Sequence, residues 1–124
     1  MTKVVQIYKC NVCGNIVEMT HTGVGELVCC GEPMELKKEK TDEKGLTEKH
    51  KPVVEKQDDG AIIKIGSVPH PMENEHHIEW VEVITGEKIC RYLLSAGDKP
   101  EIRSYLKSHS YVRAYCNIHG LWKN

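Results

Sequence analysis

Phenylalanine does not occur anywhere in this chain. An apolar interior therefore has to be assembled from Val, Ile and Leu, helped by five tyrosines and two tryptophans. Also missing is any apolar run approaching the roughly 20 residues that a membrane-spanning helix requires. The opening stretch Met1-Thr2-Lys3-Val4-Val5-Gln6 has no apolar core of the kind a secretory leader carries. Charge of one sign is not in excess: the net charge is −1, so no global field draws the chain to nucleic acid or to an anionic membrane. No segment shows a convincing helical period. What remains is a chain of 124 residues, 40% hydrophobic and 28% charged, the profile of a globular protein, read as cytoplasmic. Thiols stay reduced in that compartment, so clustered cysteines point to metal before disulfide.

Three stretches follow from the pattern. Residues 1–36 form a first unit, too short for a self-sufficient core and in need of a staple. Val4–Tyr8 reads as a strand into the first cysteine pair, and Met34–Leu36 as a closing strand. Residues 37–51 are charged and nearly coreless, a linker running into an exposed loop in which His50 breaks the pattern. Residues 52–124 read as all-β, with strands at Val53–Lys56, Ala61–Val68, Ile78–Ile84, Lys88–Leu94, Ile102–Leu106 and Tyr111–Cys116, separated by turn signals such as Asp58-Asp59-Gly60 and Thr85-Gly86. Short strands at that spacing suggest a β-sandwich.

Cys10, Cys13, Cys29 and Cys30, spaced C-x2-C-x15-C-C, carry the sharpest local signal. Two thiolate pairs at knuckle spacing predict a tetrahedral sulfur site. The adjacent second pair is unusual for a zinc ribbon and points toward iron and electron transfer. A second constellation is His50, His70, His76, Cys116 and His119. Each of these residues alone has an ordinary surface or packing explanation. Together, four imidazoles and a thiolate overfill a tetrahedral zinc site and suit a redox metal. With the imidazoles in a plane and the sulfur axial, an octahedral iron would keep one place for a small molecule. His77 is set aside because neighbours on an extended chain face opposite ways. His21 and His109 lack partners at ligand spacing, and Cys90 and Met72 read as packing residues. Trp80 and Trp122 also read as packing, with Trp122 near enough to His119 to wall the site. Two rivals stay open: a zinc-stabilised knuckle fused to an interaction sandwich, and a plain electron carrier with both metals closed to substrate.

Tyr8-Lys9-Cys10-Asn11-Val12-Cys13-Gly14 with Cys29-Cys30, followed by Glu48-Lys49-His50, His70-Pro71-Met72, Glu75-His76 and Tyr115-Cys116-Asn117-Ile118-His119-Gly120, resembles the desulfoferrodoxin family over essentially the whole chain. The resemblance implies two irons per chain. One is held by the four cysteines in a desulforedoxin-like domain (1–36). The other is held by His50, His70, His76, His119 and axial Cys116 in an immunoglobulin-like sandwich (52–124), with 37–51 as linker and active-site loop. It implies one-electron reduction of superoxide to hydrogen peroxide. Lys49 would attract the anion and help deliver a proton, and Glu48 would be the carboxylate that binds the oxidised iron. A rubredoxin-like electron donor and a homodimer are implied as well.

Overall fold

The computed structural model of the protein describes residues 1–105 and 110–124, and its backbone gathers into two compact units, Met1–Lys38 and Glu39–Asn124. Leu106, expected to end a strand, and His109 lie outside the described residues. Among the described residues no helix is long and apolar enough to cross a membrane.

The first unit is built from very short strands. β1 (Ile7–Lys9) lies between β2 (Ile16–Glu18) and β5 (Glu35–Lys37), and β3 (Val28–Cys29) pairs with β4 (Glu32–Pro33) in a small ribbon. Pairing is antiparallel, with Tyr8 opposite Val17 on one side and Leu36 on the other. Only Ile7 and Cys10 among its apolar side chains are buried, too little apolar area to hold a chain of this length by itself. The strand expected from Val4 begins at Ile7. Val5 takes a left-handed φ of 67° while its N–H donates to the Met19 carbonyl at 2.8 Å, so the chain turns before it extends.

The second unit is an all-β sandwich. One sheet runs β10 (Glu101–Ser104), β7 (Gly60–Ile65), β6 (Pro52–Gln57). The other runs β12 (Gly120–Lys123), β11 (Tyr111–Cys116), β8 (Ile78–Ile84), β9 (Ile89–Leu93). The period-2 alternation of strands sends Ala61, Ile63 and Ile65 of β7 inward. Ile63, Ile65 and Ile102 meet Ile78, Val81, Val83, Val112, Ala114 and Cys116 of the opposing sheet in one core, with Met72 and Cys90 packed at its margin. β8 is buried on its other face too. There Glu82 is fully enclosed, its carboxylate 2.7 Å from both the Arg91 and Arg113 guanidinium groups, the pairing a buried charge requires.

Two features of this unit set up its functional end. The ladder between β8 and β11 slips by one residue: Tyr115 faces Trp80 but Cys116 faces Ile78. A bulge of this kind re-aims the side chain at the strand end, and Cys116 is fully buried among core residues. The charged stretch 37–51 is put to several uses. Lys37 ends β5, and Lys40 forms a bridge alongside Trp122 of β12. Thr47–His50 forms a single helical turn, α1. Four residues cannot display a helical period, so this element left no trace in the sequence pattern. β12, equally short, also went unexpected. β7 stops at Ile65, short of the expected Val68, because the chain turns away there: the Val68 N–H donates to the Glu48 carbonyl of α1 at 3.0 Å.

Candidate metal centres

In the first unit all four cysteines converge, their sulfurs within 4.8 Å of one another. Cys10 and Cys13 sit on the turn after β1, where the N–H groups of Val12 and Cys13 both point at the Cys10 sulfur at 3.4 Å. Those two donors hold the Cys10 thiol down at about 6, favouring the thiolate a metal needs. The crowding of sulfurs pushes Cys29 up to about 12: four thiolates at this spacing repel unless a cation joins them. The adjacency of Cys29 and Cys30 has a backbone explanation. Cys30 adopts a left-handed φ of 54° and Gly31 one of 76°, which curls the chain so that neighbouring sulfurs stand 3.9 Å apart on one side. An extended backbone would have sent them to opposite faces.

In the second unit His50 comes from α1, His70 and His76 from the β7–β8 connection, Cys116 from the end of β11 and His119 from the turn into β12. Ligand atoms of His50, His70, His76 and Cys116 all lie within 4.8 Å of one another. His119 Nδ1 stands 3.1 Å from His50 Nε2 and 3.9 Å from the Cys116 sulfur. Tautomers decide what this cluster is for. His50 Nδ1 lies 2.7 Å from the Leu46 carbonyl and His70 Nδ1 2.6 Å from the Pro71 carbonyl. A carbonyl can only accept, so both rings carry their proton on Nδ1, and both Nε2 atoms present lone pairs to each other at 3.1 Å. Two acceptors at that distance repel unless a cation lies between them. His76 Nε2 points the same way: among the described residues it is a buried side-chain atom with no hydrogen-bond partner, a costly state. Burial pushes His50, His70 and His76 below the usual imidazole range, His70 to about 4, so the rings are neutral ligands at physiological pH. Burial pushes the Cys116 thiol up, so a free thiol is expected until a metal displaces its proton. The donor set fits a metal ion and little else. His77, His21 and Cys90 stand outside both groups.

Family models describe the two units in turn. "Desulfoferrodoxin, N-terminal domain" matches residues 2–36 and "Desulfoferrodoxin" matches residues 40–124. The chain belongs to the desulfoferrodoxin family. It is 51% identical over 125 residues to a desulfoferrodoxin homolog of Archaeoglobus fulgidus, covering 100% of this chain and 99% of that one. It is 53% identical over 129 residues to the desulfoferrodoxin of Syntrophotalea carbinolica, covering 100% and 98%. Among solved structures, the superoxide reductase from Treponema pallidum matches with a TM-score of 0.74 and 27% identity, covering 100% of this chain and 99% of that one. In this desulfoferrodoxin the two donor groups, one of four cysteines and one of four histidines and a cysteine, are two iron sites.

The surroundings of the desulfoferrodoxin's second site include Trp122, which the sequence suggests as a wall, together with Lys40 and Gly66, which the sequence does not single out. Trp122, almost fully buried, stacks on the His50 ring at 5.0 Å between centroids, and its indole N–H donates to the His119 carbonyl at 3.2 Å. Lys40 donates to that same carbonyl at 3.2 Å. Glu48 and Lys49 lie exposed on α1 beside buried His50, and the Lys49 charge is one of the influences lowering His76. Gly66 is the seat of α1. A methyl group there would stand 2.6 Å from the Glu48 carbonyl oxygen and 2.9 Å from that of Lys51. A lone glycine past a strand end gives no sequence signal of such a close approach. Gly66→Ala is expected to push α1 outward, destabilise the unit by about 1–3 kcal/mol as overpacking does, and lower iron occupancy at the second site. Gly86→Ala, with open space around it, serves as the comparison. Chemical denaturation and iron per chain measure both, and equal behaviour of the two variants would remove Gly66 from this role.

Proposed function

We infer that the chain is a superoxide reductase, catalysing one-electron reduction of superoxide to hydrogen peroxide at its second iron site. The observation that carries this reading is the convergence of ring nitrogens of His50, His70, His76 and His119 and the sulfur of Cys116 on one place, with the Nε2 lone pairs of His50 and His70 facing each other. These five residues would hold the iron. Ferrous iron held there would supply the single electron.

The remaining work falls to side chains. Four neutral imidazoles and one thiolate leave a divalent ion with one net positive charge, attractive to a small anion. Lys49, exposed next to His50, adds a second positive charge at the entrance and can relay a proton through water. Superoxide needs two protons as well as the electron to leave as hydrogen peroxide, so a cationic donor at the mouth serves both demands. Glu48, also exposed on α1, would be the carboxylate that helps hold the metal in its ferric form. The N–H of His119, 3.4 Å from the Cys116 sulfur, withdraws electron density from the thiolate and tempers its donation. Trp122 walls one side of His50 against water.

The first iron site presents Cys13 and Cys30 at the surface, which suits electron entry as well as structural stapling. A rubredoxin-like donor and a homodimeric assembly belong to the same proposal and rest on family resemblance; a cytoplasmic location is proposed with them.

Charge steering gives the test. Lys49→Ala is expected to slow the second-order reaction with superoxide about tenfold at low ionic strength, with the gap to wild type closing as salt screens the charge. Pulse radiolysis across a salt series measures it. A rate equal to wild type at every ionic strength would remove Lys49 from the mechanism, and a wild-type protein that leaves superoxide untouched would refute the enzyme.

A further inference from the structure

Three of the four histidines have evident local support, two at the ring and one at the backbone. His50 and His70 each anchor the outer nitrogen on a backbone carbonyl. His119 is tied to Cys116 by its own N–H. His76 is different: no hydrogen bond among the described residues holds its ring, and its Nε2 is buried without a partner. It rides on a small loop closed by two reciprocal bonds with Glu73, at 3.0 and 3.1 Å. Placement of this ring therefore depends on placement of its backbone.

Asn117, between Cys116 and His119, supplies that placement. Its side-chain oxygen accepts the His77 N–H at 2.9 Å. Its side-chain nitrogen donates to the Glu75 carbonyl at 2.9 Å. Its own backbone N–H donates to the His77 carbonyl at 3.2 Å. The two residues bracketing His76 are thus both gripped by one residue. A carboxamide donates and accepts as a peptide group does, so the Asn117 side chain acts as a short extra strand laid beside residues 75–77.

The geometry points to Asn117 as the positioning residue for His76, coupling the His76 loop to the turn that bears Cys116 and His119. This rests on the assignment of these residues as ligands of the second iron. The consequence is kinetic and spectroscopic. When the two side-chain bonds are lost, the His76 loop keeps only its Glu73 closure and the single backbone bond from the Asn117 N–H to the His77 carbonyl, and the site opens on that side. Outer partners that orient metal ligands change metal affinity by about 10–100-fold when removed.

The experiment compares wild type, Asn117→Ala, His76→Ala and the double variant as iron-loaded proteins. It follows release of the second iron to a strong chelator and the visible and electron paramagnetic resonance spectra of the ferric form. Asn117→Ala is expected to release iron about tenfold faster and to alter the ferric signal. In the His76→Ala background the same substitution is expected to change release by less than about twofold, since the residue it acts through is already gone. Asn117→Asp keeps the acceptor for His77 but sets an oxygen against the Glu75 carbonyl. It is nearly isosteric, so it tests the clamp even if Asn117→Ala folds poorly, and it too is expected to release iron faster than wild type. Wild-type release and spectra in Asn117→Asp, or an undiminished Asn117→Ala effect without His76, would overturn the inference. Failure of the wild-type protein to reduce superoxide would instead strike the enzymatic reading and leave the clamp to be judged by iron release.

Discussion

Cys116→Ser is expected to erase the sulfur-to-iron absorption band from the visible spectrum of the oxidised protein and to abolish most of the reaction with superoxide. The substitution removes one soft donor and little volume. Cys116 is fully buried among Val112, Ala114 and Ile78, and burial alone keeps its thiol protonated; coordination is what makes it a thiolate. A serine hydroxyl surrenders its proton far less readily, so the new side chain would be a weak, neutral neighbour to four imidazoles. The other donors still converge, with His50 in contact with both His70 and His119, so iron content is expected to fall without vanishing. Iron per chain and the ferric spectrum together read the outcome. A visible band of unchanged intensity at full iron content would mean that sulfur from elsewhere reaches the metal.

Cys10→Ser is expected to unfold Met1–Lys38 while leaving the second site spectroscopically intact. Ile7 and Cys10 are the buried apolar side chains of that unit, and strands of two or three residues cannot stand alone. In a unit of this kind, metal binding and folding are one event. Cys10 is the innermost of its four cysteines and the one whose sulfur receives two N–H groups, so its loss removes both the ligand and the turn it organises. Amide hydrogen exchange resolved along the chain is the measurement. Protection in residues 1–38 should drop to that of unstructured peptide, while β8 and β11 remain protected. Retained protection in the first unit would show that its backbone bonds suffice without the fourth sulfur.

Much of this was readable in the chain. Cys10, Cys13, Cys29 and Cys30 announce a sulfur site because thiolates must be close in sequence to build a small knuckle. The run Ile78–Ile84, rich in β-branched and aromatic residues, announces a strand because such side chains suit a pleated surface. The five donors of the second site were found as types and spacings, and their grouping rested on chemistry that suits one metal. Other features were out of reach. Thr47–His50 is too short for any period. The bulge that aims Cys116 inward is a register shift between β8 and β11, and register belongs to the pair of strands, not to either one. Gly66 and Asn117 matter through contacts with α1 and the His76 loop, partners at least 15 positions away in the chain.

The order of residues alone determined which atoms could bind metal, where strands could form and how the chain divides its chemistry between a cysteine-rich start and a histidine-bearing sandwich. Only the folded molecule decided that the Nε2 lone pairs of His50 and His70 face each other, that His76 Nε2 lacks a partner among the described residues, and that Asn117 grips the chain on both sides of that ring. The physical reason is range. Ligand type and strand pattern are properties of a residue and its near neighbours, whereas the direction of a lone pair is set by whichever carbonyl the rest of the fold brings to the other side of the ring.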